Sequence, residues 1–512
     1  MSWRIIWRAN WRRSEWKYMV KEYYEEISKG NQIRQNLIAL RQELRQEGNQ
    51  RALAYLLGGD FRLFTNLLRA EDPKIRKNAA LILGDMETED VLPFLFAAYN
   101  KEETLFVRTD YLKAMAKMDY SDYFSKLKGR LETLRGMEQT EENRKHIREE
   151  MQQLQAMVLR YEKPKRHHFI GYEPGPEVIL VTNRNQKEVT IQQIGTGQVT
   201  ELGQGIRIKD GNLKELQQIR TYTELLFPIP GARVLEGSPA QIGEALLKLS
   251  LVEFLDDLHK EGGIYYYRIE VKGPMPLDKK GSFIRRISEV LETGSEGRLM
   301  NTATDYEAEL RLLERKDGSF VPMLKLYTLP DHRFDYRKEV AASSIAPVNA
   351  ALTVELARKY LKEDAQILDP FCGVGTMLLE RNKAVSADPM YGIDIYGEAV
   401  DKARINTERD GSIVHYINRD FFDFTHEYLF DEIITDMPQV SKGKGREEIG
   451  LLYRRFFEKA PEFLKERAVL ILYSTEPEFV QEELRRSHRY KKLDEFIMNE
   501  KKQTKVFVLE LC

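Results

Sequence analysis

Cysteine is nearly missing from this chain. Only Cys372 and Cys512 occur among 512 residues, which excludes a disulfide framework and a cysteine-rich zinc site. The cytoplasm is the compartment that such cysteine usage suggests. Long hydrophobic runs are also lacking. No stretch approaches the roughly 18 apolar residues of a membrane-spanning helix, and no apolar core with a small-residue cleavage site marks a secretory signal. Net charge is close to nil, with 79 basic residues against 81 acidic ones. That balance leaves nucleic acid open as a partner, because phosphates respond to a local patch. Tryptophan is confined to one place. Trp3, Trp7, Trp11 and Trp16 alternate with Arg4, Arg8, Arg12 and Arg13. On a helix, three of these rings form a stripe, suited to packing on the next helices or to an RNA-stacking or membrane-interfacial arm.

The remaining chain changes texture twice. Residues 1–162 read as helix after helix. Asp72-Pro73, then Ala79-Ala80 and Gly84, give a helix start, a close-packing face and a helix end, and Val107-Arg108, Leu112 and Met115 repeat the pattern about 32 residues later. This resembles HEAT repeats, arrays that bind a protein partner or pack on a neighbouring domain. Thr140 to Tyr161 reads as a long charged helix, and Lys163 to His168 as a basic linker. His167 and His168, without a third ligand, make no metal site, and no metal is expected elsewhere.

Residues 169–346 mix strands and helices. Val178–Thr182, Val189–Ile191, Tyr265–Val271, Tyr306–Leu313 and Phe320–Tyr327 read as strands, the last two joined at Asp317-Gly318. Leu213 to Leu226, Ile242 to Leu255 and Lys280 to Leu291 read as helices. Residues 347–512 alternate strand and helix, which argues for a parallel sheet covered on both faces, closed by a strand at Lys505 to Leu511.

The chemistry concentrates in that last region. Ile367-Leu368-Asp369 is a strand ending in an acid, followed by the corner Gly373-Val374-Gly375 and a helix from Thr376. Glycines there admit positive φ and close approach of a ligand. About two dozen residues on, a second strand ends at Asp394-Ile395, where an acid is placed to take a ribose diol. Asp420-Phe421 and Asp436-Met437-Pro438 follow. Each acid alone is also a helix cap. The ordered set is the stronger signal.

In this order the chain resembles class I S-adenosylmethionine-dependent methyltransferases, with a Rossmann-like fold. DPFCGVGT is similar to their first motif, GIDI to the ribose-binding acid, RDFF to the adenine-side motif, and DMPQ to the acceptor motif of N-methyltransferases. The first motif is most similar to RNA guanine-N2 methyltransferases linked to a THUMP domain. The segment from Tyr265 to Tyr327 resembles that THUMP unit and the segment before it a ferredoxin-like companion. The resemblance implies S-adenosyl-L-methionine as cofactor and a transferase acting in tRNA processing. Asp369, Phe371, Gly373, Gly375 and Thr376 would hold the methionine end, with the amides around Gly373 and Gly375 facing its carboxylate. Asp394 and Ile395 would hold the ribose, and Asp420 and Phe421 the adenine. Asp436 and Pro438 would hold the acceptor amine. Arg333, Arg337, Lys442 and Arg446 would reach phosphates, and Tyr327, Phe334 and Tyr336 would stack on bases. One departure matters: Gln439 stands where the family carries an aromatic residue. A catalytically weak RNA-binding scaffold and a protein methyltransferase therefore stay as alternatives.

Overall fold

Asp72 and Pro73 do start a helix. In the computed structural model the Asp72 carboxylate accepts from the Lys74 amide at 2.8 Å, and Pro73 opens the helix Pro73–Asp85, since proline has no N–H to lose at that position. Gly84 plays a different part from the helix end expected of it. It lies inside this helix, and a Cβ there would fall 2.6 Å from the Ala114 Cα on the helix Leu105–Met115. The hydrogen at that position is what lets two helices touch. The structure describes residues 19–46, 48–137, 140, 143–162, 166–342 and 344–512. The tryptophan–arginine segment and Lys163 to Lys165 lie outside them.

The chain divides into two compact units, Met1–Lys165 and Arg166–Cys512. The first is helical among its described residues, and its repeat shows in the ion pairs. Arg76 binds Glu102 at 2.7 Å and the Ala70 carbonyl at 2.8 Å. Arg108, 32 residues later, binds Glu150 at 3.1 Å and the Glu102 carbonyl at 2.8 Å. Each arginine ties one helical pair to the next through a nearly buried carboxylate.

The second unit holds two sheets. The first contains β1 Val178–Thr182, β2 Gln198–Leu202, β3 Gly205–Lys209, β4 Tyr222–Pro228, β5 Tyr265–Lys272, β6 Leu299–Asn301, β7 Ala308–Glu314 and β8 Phe320–Leu326, in the order β2-β3-β1-β4-β8-β7-β5-β6. β4 pairs antiparallel with both β1 and β8, so the two parts read from the sequence share one sheet. The strand expected at Val189–Ile191 is the end of a helix, Lys187–Ile191. The helix expected over Leu213–Leu226 stops at Leu216, and Tyr222 onward is β4. Leu213 and Leu216 stand at a helical i, i+3 spacing, and only pairing on both sides of β4 makes the run from Tyr222 a strand. The helix expected at Ile242–Leu255 breaks at Ser250, whose φ of 47° separates Pro239–Leu247 from Leu251–Leu258.

The second sheet comprises β9 Ala365–Asp369, β10 Ala387–Asp394, β11 His415–Asn418, β12 Phe430–Asp436, β13 Leu464–Ser474, β14 Tyr490–Asn499 and β15 Thr504–Leu511. Their order is β11-β10-β9-β12-β13-β15-β14. The first five run parallel. β15, the closing strand read from the sequence, is inserted antiparallel between β13 and the unanticipated β14. The strand order reverses between β9 and β12, the place where open α/β sheets bind ligands at the carboxyl ends of their strands. A fully buried ion pair, Arg381–Glu432 at 2.9 Å, fixes the helix after β9 to β12. Arg220, on the approach to β4, grips the same helix through Glu380 at 2.7 Å, and the Tyr336 hydroxyl donates to Glu380 at 2.6 Å.

Candidate cofactor and acceptor cleft

The reversal point brings three strand ends together, and each ends in an acid: Asp369 on β9, Asp394 on β10 and Asp436 on β12. Asp420 joins them from the loop after β11. All four line one cleft of about 1250 Å³. Pockets for a single small ligand run to about 300–1,000 Å³, so this one has room for a cofactor and an acceptor. Phe371, Gly373, Thr376, Ile395, Phe421 and Pro438 line it as well.

The acids are held by backbone amides. Asp394 accepts from Gly373 N–H and Tyr396 N–H, both at 2.9 Å, one on each oxygen. Asp369 accepts from Phe371 N–H at 3.1 Å, and Asp420 from Phe422 N–H at 3.0 Å. Capping and ligand binding are therefore compatible here. In these three acids an amide fixes the direction of the carboxylate and leaves acceptor capacity for a ligand; Asp436 has no such donor among the described residues. Asn418 adds support by donating to the Asp394 and Ile395 carbonyls at 2.9 and 3.0 Å.

The two glycines do different work from that expected of their amides. Gly373 N–H is taken by Asp394, and Gly375 N–H by the Cys372 carbonyl at 2.9 Å, so neither is free for a carboxylate. Gly373, at φ 52°, has open space where a Cβ would stand. Gly375, at φ 82°, does not itself line the cleft; a Cβ there would meet the Tyr416 hydroxyl at 2.2 Å. The first leaves room and the second permits packing.

Among the described residues, none of the four acids has a cation in ion-pair range. Asp369 is 1% exposed. Burial pushes its carboxyl up to about 8, with Asp436 and Asp394 adding to the effect. Burial also pushes Asp436 up to about 7. The Thr376 hydroxyl, at the first turn of the helix, is buried without a partner. A cleft whose four acids have no cation in ion-pair range among the described residues, although Lys402, Lys444 and Arg455 stand elsewhere on its wall, and which has an orphaned hydroxyl at the glycine corner, fits a cationic ligand that also offers acceptor atoms. S-adenosylmethionine, with its sulfonium, ammonium, carboxylate and ribose, matches that donor set.

On the acceptor side, Met437 N–H donates to the Tyr473 carbonyl at 2.9 Å and pins the end of β12. Gln439 is exposed, and its side-chain oxygen accepts from the Thr475 hydroxyl at 3.3 Å. The proposed phosphate contacts fare unevenly. Arg333 is buried, lying 3.6 Å over the Tyr222 ring and donating to Asp331 and to the Ile219 and Tyr222 carbonyls. It braces the linker and cannot reach a phosphate. Arg337 is half-buried; its Nε lacks a partner, and burial pushes the guanidinium down. Arg446 is exposed but pairs with Glu478 at 2.6 Å. Lys442 is exposed and, among the described residues, without an acid partner. Tyr336 is buried, and Phe334 lies 4.6 Å under Arg220, so neither is a stacking ring, whereas Tyr327 is 37% exposed. The sequence reading gave no role to Tyr396, Phe422 or Arg455, which also line the cleft. Phe422 closes the RDFF motif, and no motif marks Tyr396 or Arg455.

Comparison with known proteins agrees with this geometry. Residues 335–505 match a family described as an RMKL-like methyltransferase domain, and residues 62–135 match HEAT repeats. Over 137 residues the chain is 28% identical to the tRNA (guanine(10)-N2)-dimethyltransferase of Methanothermobacter thermautotrophicus, covering 25% of this chain and 38% of that protein. Over 68 residues it is 40% identical to the ribosomal protein L11 methyltransferase of Paraburkholderia xenovorans, covering 12% of this chain and 22% of that protein. The chain thus spans well under half the length of these curated relatives. The crystal structure of TrmN from Thermus thermophilus shares the fold, with a TM-score of 0.50 and 19% identity over 66% of this chain and 99% of that one. Residues 335–505 carry the likeness to a methyltransferase domain, and S-adenosylmethionine is the cofactor to which that likeness and the donor set of the cleft point.

Proposed function

We propose that this protein transfers a methyl group from S-adenosylmethionine to structured RNA, at the exocyclic N2 amine of a guanine in tRNA. The observation that carries the reading is Asp436: a carboxylate with no cation beside it, at the strand end next to Pro438, in the same cleft as the cofactor acids. The lone pair of a guanine amine is delocalised into the ring, so it needs help to attack. Asp436 accepts one N–H and a backbone carbonyl near Met437 or Pro438 accepts the other, which turns the lone pair out of the ring plane. When bound, the cofactor supplies an electrophilic methyl on a positively charged sulfur. Asp369 and Asp394 offset positive charge in the cleft, and Asp394 takes the ribose hydroxyls. Asp420 takes the adenine amine. A carboxyl pushed up to about 7 is also matched to receiving the amine proton near neutral pH. Positioning and charge placement supply the rate.

The name of the Methanothermobacter relative supports guanine N2, and Lys442, on the loop after Asp436, supports a polyanionic substrate. Residues 169–346 serve in this reading as the ferredoxin-like and THUMP-like part that grips the tRNA, residues 347–512 as the catalytic domain, and residues 1–162 as a docking surface for a protein partner, all in the cytoplasm. Transfer of tritiated methyl to unmodified tRNA transcripts is the test. No transfer, with S-adenosylhomocysteine still bound, would refute it. Gln439 favours a second reading, a scaffold that keeps the cofactor fold and catalyses weakly. Gain of transfer in Gln439→Tyr would identify that case. The L11 methyltransferase match favours a protein acceptor, which peptide substrates would reveal.

A further inference from the structure

A base taken out of a nucleic-acid stack gives up its neighbours, and the site that receives it must return a π surface. Gln439 offers none. Four rings line the cleft: Phe371, Tyr396, Phe421 and Phe422. Phe421 is 2% exposed and belongs to the core. Phe371 packs between Phe421 and Phe456, at 6.0 and 5.9 Å. The face of Phe422 is covered by the Arg455 guanidinium at 3.9 Å. Tyr396 differs from all three. It is 60% exposed and, among the described residues, touches no other ring. On one side the Lys444 ammonium stands 5.7 Å from its centroid.

Its backbone is fixed at both ends. Tyr396 N–H donates to Asp394 Oδ1, and its carbonyl accepts from Ala399 and Val400 at 3.0 and 3.2 Å, as the cap of the helix Gly397–Asp410. The ring is therefore presented from the loop that holds the cofactor ribose. Lys444 reaches it from the loop that follows Asp436. Cofactor loop and acceptor loop meet at this pair.

We infer that Tyr396 is the ring on which the acceptor base stacks, taking the part that Gln439 leaves vacant, with Lys444 beside it for the phosphate of the same nucleotide. The inference rests on the RNA reading above and names a binding residue for it. The phenol oxygen has no assigned task, so the ring alone matters.

The test uses the full chain, unmodified tRNA transcripts and S-adenosylhomocysteine. Tyr396→Ala is expected to lower kcat/KM for the transcripts about 10- to 100-fold, while calorimetric affinity for S-adenosylhomocysteine stays within about twofold. Tyr396→Phe is expected to restore most of the rate. Adding Gln439→Tyr to Tyr396→Ala is expected to recover part of it from the opposite lip. An unchanged kcat/KM in Tyr396→Ala overturns the inference. So does an equal loss of S-adenosylhomocysteine affinity, which would make Tyr396 a cofactor residue. If the unsubstituted protein methylates no transcript, the substrate reading itself fails, a result visible before any substitution is made.

Discussion

The face of the first sheet and the strand ends of the second treat charge in opposite ways. In the first, acids on one face meet bases. Arg311 binds Glu224 and lies 2.6 Å from Glu309, Lys325 binds Glu224 at 2.9 Å, and Arg268 binds Glu309 at 3.0 Å. The Arg311 and Lys325 partners hold the Glu224 carboxyl down to about 2. In the second, Asp369, Asp394, Asp420 and Asp436 crowd the strand ends with amide donors or nothing. That face is electrostatically finished. The strand ends keep a deficit of positive charge that a cationic cofactor completes. A buried unpaired charge is costly, so such a cluster is retained at the expense of stability, a common mark of a working site.

This contrast can be broken from the finished side first. Arg311→Ala leaves Glu309, 1% exposed, with Arg268 alone and Glu224 with Lys325 alone. A loss of about 3 kcal/mol is expected, read as a lower denaturation midpoint. An unchanged midpoint would mean the network carries no stability. On the unfinished side the effect reverses. Asp436→Asn removes an uncompensated charge, so the ligand-free protein should gain on the order of 1 kcal/mol at pH 8. Methyl transfer should fall about 100-fold or more, with S-adenosylhomocysteine affinity kept. Retained transfer would remove Asp436 from the chemistry.

Asp394→Ala deletes the acceptor for the ribose and for the Gly373 and Tyr396 amides. A loss of about 2 kcal/mol in S-adenosylhomocysteine affinity is expected by calorimetry. The smallest effect is in protons. Asp369 and Asp436 titrate above their unfolded value of 3.8, at about 8 and about 7. Between roughly pH 4 and 8 the folded protein thus holds protons that the unfolded chain has released, and stability without ligand falls as pH rises through that window, then levels. A cationic cofactor favours the ionised acids. Binding of S-adenosylmethionine near pH 7 should therefore release up to about one proton and tighten as pH rises toward 8. Binding heats that do not depend on the buffer would contradict this.

The same contrast explains what could be read from the residues alone. The acids of the second sheet follow apolar strands in fixed order, so Asp369, Asp394, Asp420 and Asp436 could be picked out and do share a cleft. Arg333 failed as a phosphate contact because a basic residue beside aromatics looks the same in a linker and on a surface. Burial over Tyr222 separates the two cases, and burial is a property of the packed chain. Val189–Ile191 and Tyr222–Pro228 failed for a related reason. Short apolar segments take helix or strand according to their neighbours, and β4 became a strand by pairing with β1 and β8.

The order of strands and acids, the glycine corner and the helical repeat were set by the sequence, because local pattern and spacing along the chain carry them. Which glycine leaves room and which one packs, the Gly373 amide on Asp394, the absence of a cation in ion-pair range of the four acids among the described residues, and the open face of Tyr396 were decided only by tertiary structure. Each depends on groups far apart in the chain, such as Gly373 and Asp394, Gly375 and Tyr416, or Tyr396 and Lys444, being brought together by the packed sheet.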